Sequence, residues 1–163
     1  AYVTDLGLAP EVGAYCLALI GLFNIAGSFL SGWYGQHASK KFGLSVIYLL
    51  RALVLLALLL VTKTEYTMYV FAGAIGMLWL ATIPLTTGIV AQIFGVRHMA
   101  TLFGIVFLSH QIGSFTGVWM GGWIHDRTGS YDLMWQAGIV LGLVAAGIHL
   151  PINEKPLVRQ EIT

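Results

Sequence analysis

Charged residues are confined to short segments of this chain, and long apolar stretches lie between them. Four stretches contain no Asp, Glu, Lys or Arg: 12–39, 66–96, 98–125 and 133–153. A fifth, 42–62, is interrupted only by Arg51. Each is long enough to cross about 30 Å of hydrocarbon as an α-helix, which rises about 1.5 Å per residue. The pattern therefore predicts five transmembrane helices at about 11–34, 43–62, 66–92, 99–123 and 133–152.

The predicted spans are helices rather than strands of a barrel. A strand facing lipid needs alternating apolar and polar residues, and the run 53–61 shows no alternation. The connections between the spans are short, so consecutive helices are antiparallel neighbours with no soluble domain between them. The sequence thus predicts an all-α, polytopic membrane helix bundle.

The composition narrows the class of protein further. Of the 163 residues, 58% are hydrophobic and 9% charged, and the mean hydropathy is +0.83. Water-soluble domains carry about a quarter charged residues, so a soluble globule is excluded. Eight Lys and Arg against seven Asp and Glu leave no basic surface, so we expect the lipid bilayer and no nucleic acid as a partner. The single cysteine, Cys16, excludes a disulfide framework and a cysteine-rich metal site.

The positions of Lys and Arg in the connections predict the orientation. Two of these residues, Lys63 and Arg127, fall on one side of the membrane. Five fall on the other side: Lys40, Lys41, Arg97, Lys155 and Arg159. Because cytoplasmic loops are richer in Lys and Arg, the N-terminus is predicted outside and the C-terminus in the cytoplasm. We expect an integral protein of a bacterial inner (plasma) membrane. The odd number of spans and a start without Met lead us to expect a fragment whose earlier spans are missing.

Glycines recur at helical spacing in two of the predicted spans. Gly113, Gly117 and Gly121 are four residues apart, and Gly138 and Gly142 repeat this spacing in the last span. Such stripes let helix backbones approach closely in lipid, where no hydrophobic force drives helices together. They also allow helices to slide during a conformational change, and both interpretations stay open.

A proline, Pro84, lies within the third predicted span. Proline has no backbone N–H, so it removes one helical hydrogen bond and bends the helix. The bend suits a static kink and a gating helix equally.

Three segments of the chain carry a family resemblance. They are Asp5-Leu-Gly-Leu-Ala-Pro with Gly21-Leu-Phe-Asn-Ile-Ala-Gly-Ser, then Phe94-Gly-Val-Arg with Leu102-Phe-Gly-Ile, and finally Gly122-Trp-Ile-His-Asp-Arg-Thr-Gly-Ser-Tyr-Asp. In this order they resemble the C-terminal half of a major facilitator superfamily transporter without the first helix of that half. The last segment is similar to a loop of monocarboxylate-transporter-like and oxalate/formate-antiporter-like members. The resemblance implies a twelve-helix protein in two halves, with residues 1–163 supplying the last five helices and the N-terminal half as a missing partner.

The sequence departs from the family pattern in two places. Gln36 and His37 stand where the cytoplasmic loop signature of the superfamily has Asp-Arg. Asn24 and Ser28 stand where proton-coupled monocarboxylate carriers have an Asp and an Arg one turn apart. The resemblance therefore does not imply a proton-coupled, lactate-type mechanism.

Three side chains within the spans are functional candidates, because an unpaired polar group in lipid is strongly disfavoured. His110 lies about 16 Å into the fourth span, where the resemblance implies a cationic side chain that binds carboxylate. It is either a substrate-binding residue or a neutral core histidine bonded to Ser109 or a backbone carbonyl. Asn24, about 18 Å into the first span, either binds substrate or bridges two helices. Arg51 either snorkels to the cytoplasmic face or pairs within the bundle.

Two functions remain open at this point. The first is a secondary active transporter that moves a small organic anion or related metabolite by alternating access around a midplane site. The alternative is a non-transporting scaffold or receptor on the same fold. We expect no enzyme, no cofactor and no metal, because the sequence has no phosphate-binding glycine loop with Lys and its other histidines lie near the membrane faces.

Overall fold

The computed structural model describes residues 2–157, so Arg159, which contributes to the predicted orientation, lies outside the described part. Residues 2–157 form seven α-helices: α1 (Tyr2–Asp5), α2 (Pro10–His37), α3 (Lys40–Leu60), α4 (Glu65–Trp79), α5 (Thr82–Phe94), α6 (Met99–Thr128) and α7 (Asp132–His149). A 3₁₀ turn, Val96–His98, precedes α6. Five candidate spans are long and apolar enough to cross a membrane: α2, α3, α4 together with α5, α6 with its preceding turn, and α7.

Local sequence signals explain where several helices begin and end. Pro10 is the first residue of α2, where its fixed φ suits a helix and its missing N–H is not needed. Thr64 caps α4, because its hydroxyl accepts the N–H of Thr67 and its own N–H donates to the Thr67 hydroxyl at 2.8 Å. Gly129 ends α6 with a φ of 67°, a left-handed conformation that favours glycine.

The third span lies between two other helices of the bundle. α4 packs along α2, α7 packs along α3, and α5 contacts both α2 and α3. α6 contacts mainly the neighbouring helices α5 and α7, and none of its residues is buried among residues 2–157. Large apolar side chains are exposed along most of the spans, as expected of a bundle that faces lipid.

Close helix approach occurs at glycines outside the predicted stripes as well as within them. A Cβ on Gly27 of α2 would overlap the Met77 carbonyl oxygen of α4, and a Cβ on Gly76 would lie 2.8 Å from the Ile20 carbonyl oxygen. Gly142 likewise lies against α3, where its Cβ would be 3.2 Å from the Ala52 Cβ.

The first predicted glycine stripe has a different environment. Gly113 and Gly117 have no atom within 4 Å of an added Cβ, and Gly121 meets only Met134 at 3.8 Å. Among residues 2–157, the stripe on α6 therefore joins no pair of helix backbones.

Two separate apolar clusters stabilise the bundle. The outer cluster joins α2, α3 and α4, and its buried members are Val12, Cys16, Leu58, Met68 and Ala72. The inner cluster joins α3 with α5, and its buried members are Leu44, Ile47, Ala81, Leu85 and Ile89. The buried residues from the two halves of the third span thus belong to different clusters, although Leu78 of α4 packs against the inner one.

Candidate functional site

The third span is interrupted near the predicted bend, although Leu80 and Ala81 at the interruption keep right-handed helical φ and ψ. The sequence predicts one helix over 66–92 with a bend at Pro84, whereas α4 ends at Trp79 and α5 begins at Thr82. Pro84 has no N–H to donate to the Leu80 carbonyl, and its ring clashes with that carbonyl in a regular helix. The Leu80 carbonyl accepts the Ile83 N–H instead, at 3.0 Å. The break lies well inside a 30-residue span, and discontinuous helices of this kind line binding sites in transporters.

Asn24 of α2 contacts the break from one side. Its Oδ1 accepts the backbone N–H of Leu80 at 3.1 Å. In the structure the side chain therefore bridges two helices, which is one of the two roles predicted from the sequence. Its predicted role in substrate binding has no contact that tests it.

Arg51 of α3 contacts the break from the other side. Its Nε and Nη2 donate to the Leu78 carbonyl at 3.1 and 2.6 Å, and Nη2 also donates to the Trp79 carbonyl. The guanidinium lies 5.1 Å from the centre of the Tyr48 ring, within the range of a cation–π interaction. Of the two predicted alternatives, the structure shows pairing within the bundle rather than snorkelling.

His110 lies away from this site on the exposed surface of α6. Its ring is 6.2 Å from the Phe107 ring, and its nitrogens bond to no residue among 2–157. Ser109 donates to the Val106 carbonyl of its own helix at 2.7 Å. Among residues 2–157, Ser109 therefore bonds within its own helix and gives His110 no partner, and both predicted roles of His110 stay predictions. The structure does not bring His110 and Asn24 into contact.

The segment after α7 forms hydrogen bonds with α3 and α5 at the predicted cytoplasmic end of the bundle. The Glu154 carboxylate accepts the Lys41 N–H in the first turn of α3 at 2.8 Å, and the Glu154 carbonyl accepts Gln92 Nε2 of α5 at 3.0 Å. Lys41 Nζ donates to the Ile152 carbonyl at 2.9 Å. Partial burial raises the pKa of Glu154, but the hydrogen bond from the Lys41 N–H, further hydrogen bonds from the start of α3 and the Lys40 charge together leave this pKa below its ordinary value. We call residues 150–157 the C-terminal clasp.

The opposite end of the bundle joins two of the segments that carry the family resemblance. His125 stacks on Tyr131 with ring centres 4.3 Å apart, and its Nε2 lies 3.5 Å from the Asp5 carboxylate. Tyr2 of α1 packs edge-on against Tyr131 and Trp135. Burial, and secondarily the Asp132 charge, raise the pKa of Tyr2. These contacts fix the loop between α6 and α7 against the start of the chain.

Sequence reasoning missed the importance of Arg51 and of the C-terminal clasp. Arg51 is the single Lys or Arg within the predicted spans, and this isolation was the available signal. Its partners, 27 and 28 residues away in another span, are backbone carbonyls that no residue pattern marks. Glu154 follows the last span with no motif around it.

Comparisons with known proteins agree with this architecture. Two relatives are monocarboxylate transporter 12-B of Danio rerio, 23% identical over 136 residues, and monocarboxylate transporter 12 of Rattus norvegicus, 25% identical over 133 residues. Each match covers 80% of this chain, but only 28% and 27% of those relatives. The chain thus spans just over a quarter of the length of the curated relatives it matches. No solved structure matches the chain significantly.

The family assignment rests on a longer match. The model of the Major Facilitator Superfamily matches residues 1–161, nearly the whole sequence. The five apolar helices are those of an integral membrane protein, as that family requires. The chain therefore belongs to the major facilitator superfamily.

Proposed function

We propose that this chain is part of a secondary active transporter that moves a small organic anion across a membrane by alternating access. The observation that carries the proposal is the family match over residues 1–161, together with relatives named monocarboxylate transporters. The chain supplies the last five helices of the C-terminal half, and the rest of the transporter lies upstream in the same protein. The coverage of the relatives, at 28% and 27%, supports this assignment.

We also propose a monocarboxylate or a related small anion as the substrate class. A carboxylate needs a cation or strong hydrogen-bond donors in its site. In this chain, Arg51 donates to backbone carbonyls, whereas Asn24 accepts through Oδ1 and keeps its Nδ2 N–H groups as donors. His110 is the second donor and the one that can carry a charge, and its ring nitrogens bond to no described residue. On an exposed face of α6, it is free to contact the half of the transporter that lies upstream.

Substitution of His110 in the full-length protein tests the substrate-binding role. We measure uptake of labelled lactate and pyruvate in cells and normalise it to membrane abundance. Loss of a charge-assisted hydrogen bond of about 1.5–3 kcal/mol predicts that His110→Ala weakens substrate affinity roughly 10- to 150-fold. His110→Lys keeps a positive charge and should retain part of the activity. His110→Gln keeps a donor without charge, so it separates charge from hydrogen bonding.

Ser109→Ala is the matched control, because the Ser109 hydroxyl bonds only within its own helix. Normal uptake by His110→Ala would remove this residue from the substrate site. The alternative function, a scaffold or receptor on the same fold, predicts no saturable uptake by the wild-type protein of any anion in a broad panel.

The membrane and the orientation are part of the proposal. Five Lys and Arg against two in the connections support a cytoplasmic C-terminus. The relatives named above are vertebrate proteins, and they give no support to a bacterial membrane. A plasma membrane location fits a metabolite transporter of bacterial or eukaryotic origin. The proposed activity of this protein is transport and not catalysis.

A further inference from the structure

The third span is interrupted more extensively than a proline alone explains. Pro84 deprives only the Leu80 carbonyl of its helical donor. In the structure, the carbonyls of Leu78 and Trp79 and the N–H of Leu80 bond to side chains of other helices instead of to the helix itself. Each of these groups needs such a partner, because an unpaired backbone group in lipid is strongly disfavoured.

Arg51 provides partners for both carbonyls at the end of α4. Two of its nitrogens donate to the Leu78 carbonyl, and one of these also reaches Trp79. The C-terminal end of a helix is the negative end of its dipole, so a cation is favoured there. The ion pair found among residues 2–157 joins Asp5 to His125, and no carboxylate pairs with Arg51. The backbone carbonyls at the break are therefore the main partners of this partly buried charge.

The buried residues on the two sides of the break belong to different clusters. α4 contributes Met68 and Ala72 to the outer cluster, and α5 contributes Leu85 and Ile89 to the inner cluster. Leu78 at the end of α4 packs against the inner cluster from its edge, so a change in the angle between α4 and α5 shifts this partly buried contact and leaves the buried members of each cluster together. The same change also breaks few helical hydrogen bonds, because the backbone groups of Leu78, Trp79 and Leu80 already bond to side chains of other helices.

We propose that Arg51 is a positioning residue, which holds the third span open between Leu80 and Ala81 so that α4 and α5 tilt independently during transport. Asn24 assists by holding the Leu80 N–H on the opposite side. This inference rests on the proposed transport function. It assigns Arg51 a mechanical role, distinct from any contact with substrate.

Two substitutions in the full-length protein test this role. Arg51→Met removes the charge and the donors but keeps an unbranched side chain, so it leaves the carbonyls of Leu78 and Trp79 unpaired. We expect its membrane abundance to fall. Adding Pro84→Ala restores an N–H at position 84 and lets α4 and α5 join as one helix. We therefore expect the double variant to recover abundance while its maximal uptake rate stays at least about tenfold below wild type with KM unchanged.

A distance measurement reports the break without relying on transport. Spin labels at Tyr66 and Phe94, two exposed positions near the ends of the span, give its length by pulsed electron paramagnetic resonance. In the double variant, we expect the separation to lengthen towards about 42 Å, the rise of 28 residues in a straight helix. Lys63→Met is the matched control. Lys63 donates to the Leu59 carbonyl at the end of α3, so this variant loses a similar bond away from the break.

The outcomes separate this inference from the proposed function. If the wild-type protein transports none of the tested anions but the double variant still lengthens, the role of Arg51 in holding the span open stands and the transport proposal fails. An unchanged label distance in the double variant would overturn the inference. A double variant whose third span lengthens but whose maximal uptake rate equals that of the wild type would also overturn it.

Discussion

The contact between Gly27 and α4 leads to a stability prediction for Gly27→Ala. A Cβ at this position would overlap the carbonyl oxygen of Met77 and lie 2.7 Å from its carbonyl carbon. An ordinary contact between carbon atoms is about 3.5–4.0 Å. Both neighbouring groups are backbone, so no side chain can rotate away. α2 and α4 must therefore separate by about 1 Å to accommodate the methyl group.

This separation also breaks a polar contact one helical turn away. The hydrogen bond from Leu80 to Asn24 is 3.1 Å long, and a further 1 Å puts it beyond hydrogen-bond range. Overpacking contributes about 1–3 kcal/mol, and an N–H left unpaired adds about 1–3 kcal/mol. Together these contributions lower the expected free energy of unfolding of Gly27→Ala by about 2–6 kcal/mol.

The assay is the apparent Tm of the full-length protein in detergent, which is measured by fluorescence-detected size-exclusion chromatography after heating. Gly21→Ala is the matched control, because Gly21 lies in the same helix and nothing is within 4 Å of its added Cβ. We expect Gly21→Ala to match wild type and Gly27→Ala to melt several degrees lower. Equal Tm values for the two variants would refute the close approach of α2 and α4.

Two further predictions concern the ends of the bundle. Glu154→Gln should lower stability at neutral pH by about 0.5–1 kcal/mol, because the partly exposed carboxylate caps α3. Since the folded pKa of Glu154 is lowered, its contribution is complete above the ordinary glutamate pKa of about 4.3 and is lost as the pH falls further. The Tm difference from wild type should therefore vanish in acid, and a constant difference would contradict the capping role. For topology, cysteines at Thr64 and Ser130 should react with an impermeant reagent outside intact cells, and one at Ser39 only after permeabilisation. The reverse pattern would invert the orientation.

The spans could be predicted because they depend on local composition. Apolar stretches with at most one charge mark helices that satisfy their own backbone hydrogen bonds in lipid, and five candidate spans are found among residues 2–157. The break at Pro84 was predictable in position but not in extent. Its extent depends on Asn24 and Arg51, which meet the third span only after the bundle has assembled.

The glycines show the same limit. Gly113, Gly117 and Gly121 attract notice through their spacing, whereas Gly27 and Gly76 lie in different spans with no periodic signal between them. Backbone contact requires two surfaces to meet, and a repeat on one helix describes only one surface. The site residues therefore follow from tertiary contacts more than from motifs.

Pro84 and Arg51 both act on the interruption of the third span. The order in which these two residues can be substituted during evolution is therefore constrained. If Arg51 is lost first, two carbonyls remain unpaired inside the membrane, and the variant is eliminated before a second change arises. If Pro84 is lost first, the helix gains a donor while Arg51 keeps its partners, so this intermediate survives. Descendants of this sequence are therefore expected to lose the proline before the arginine, and a lineage with proline at 84 and an apolar residue at 51 should be rare.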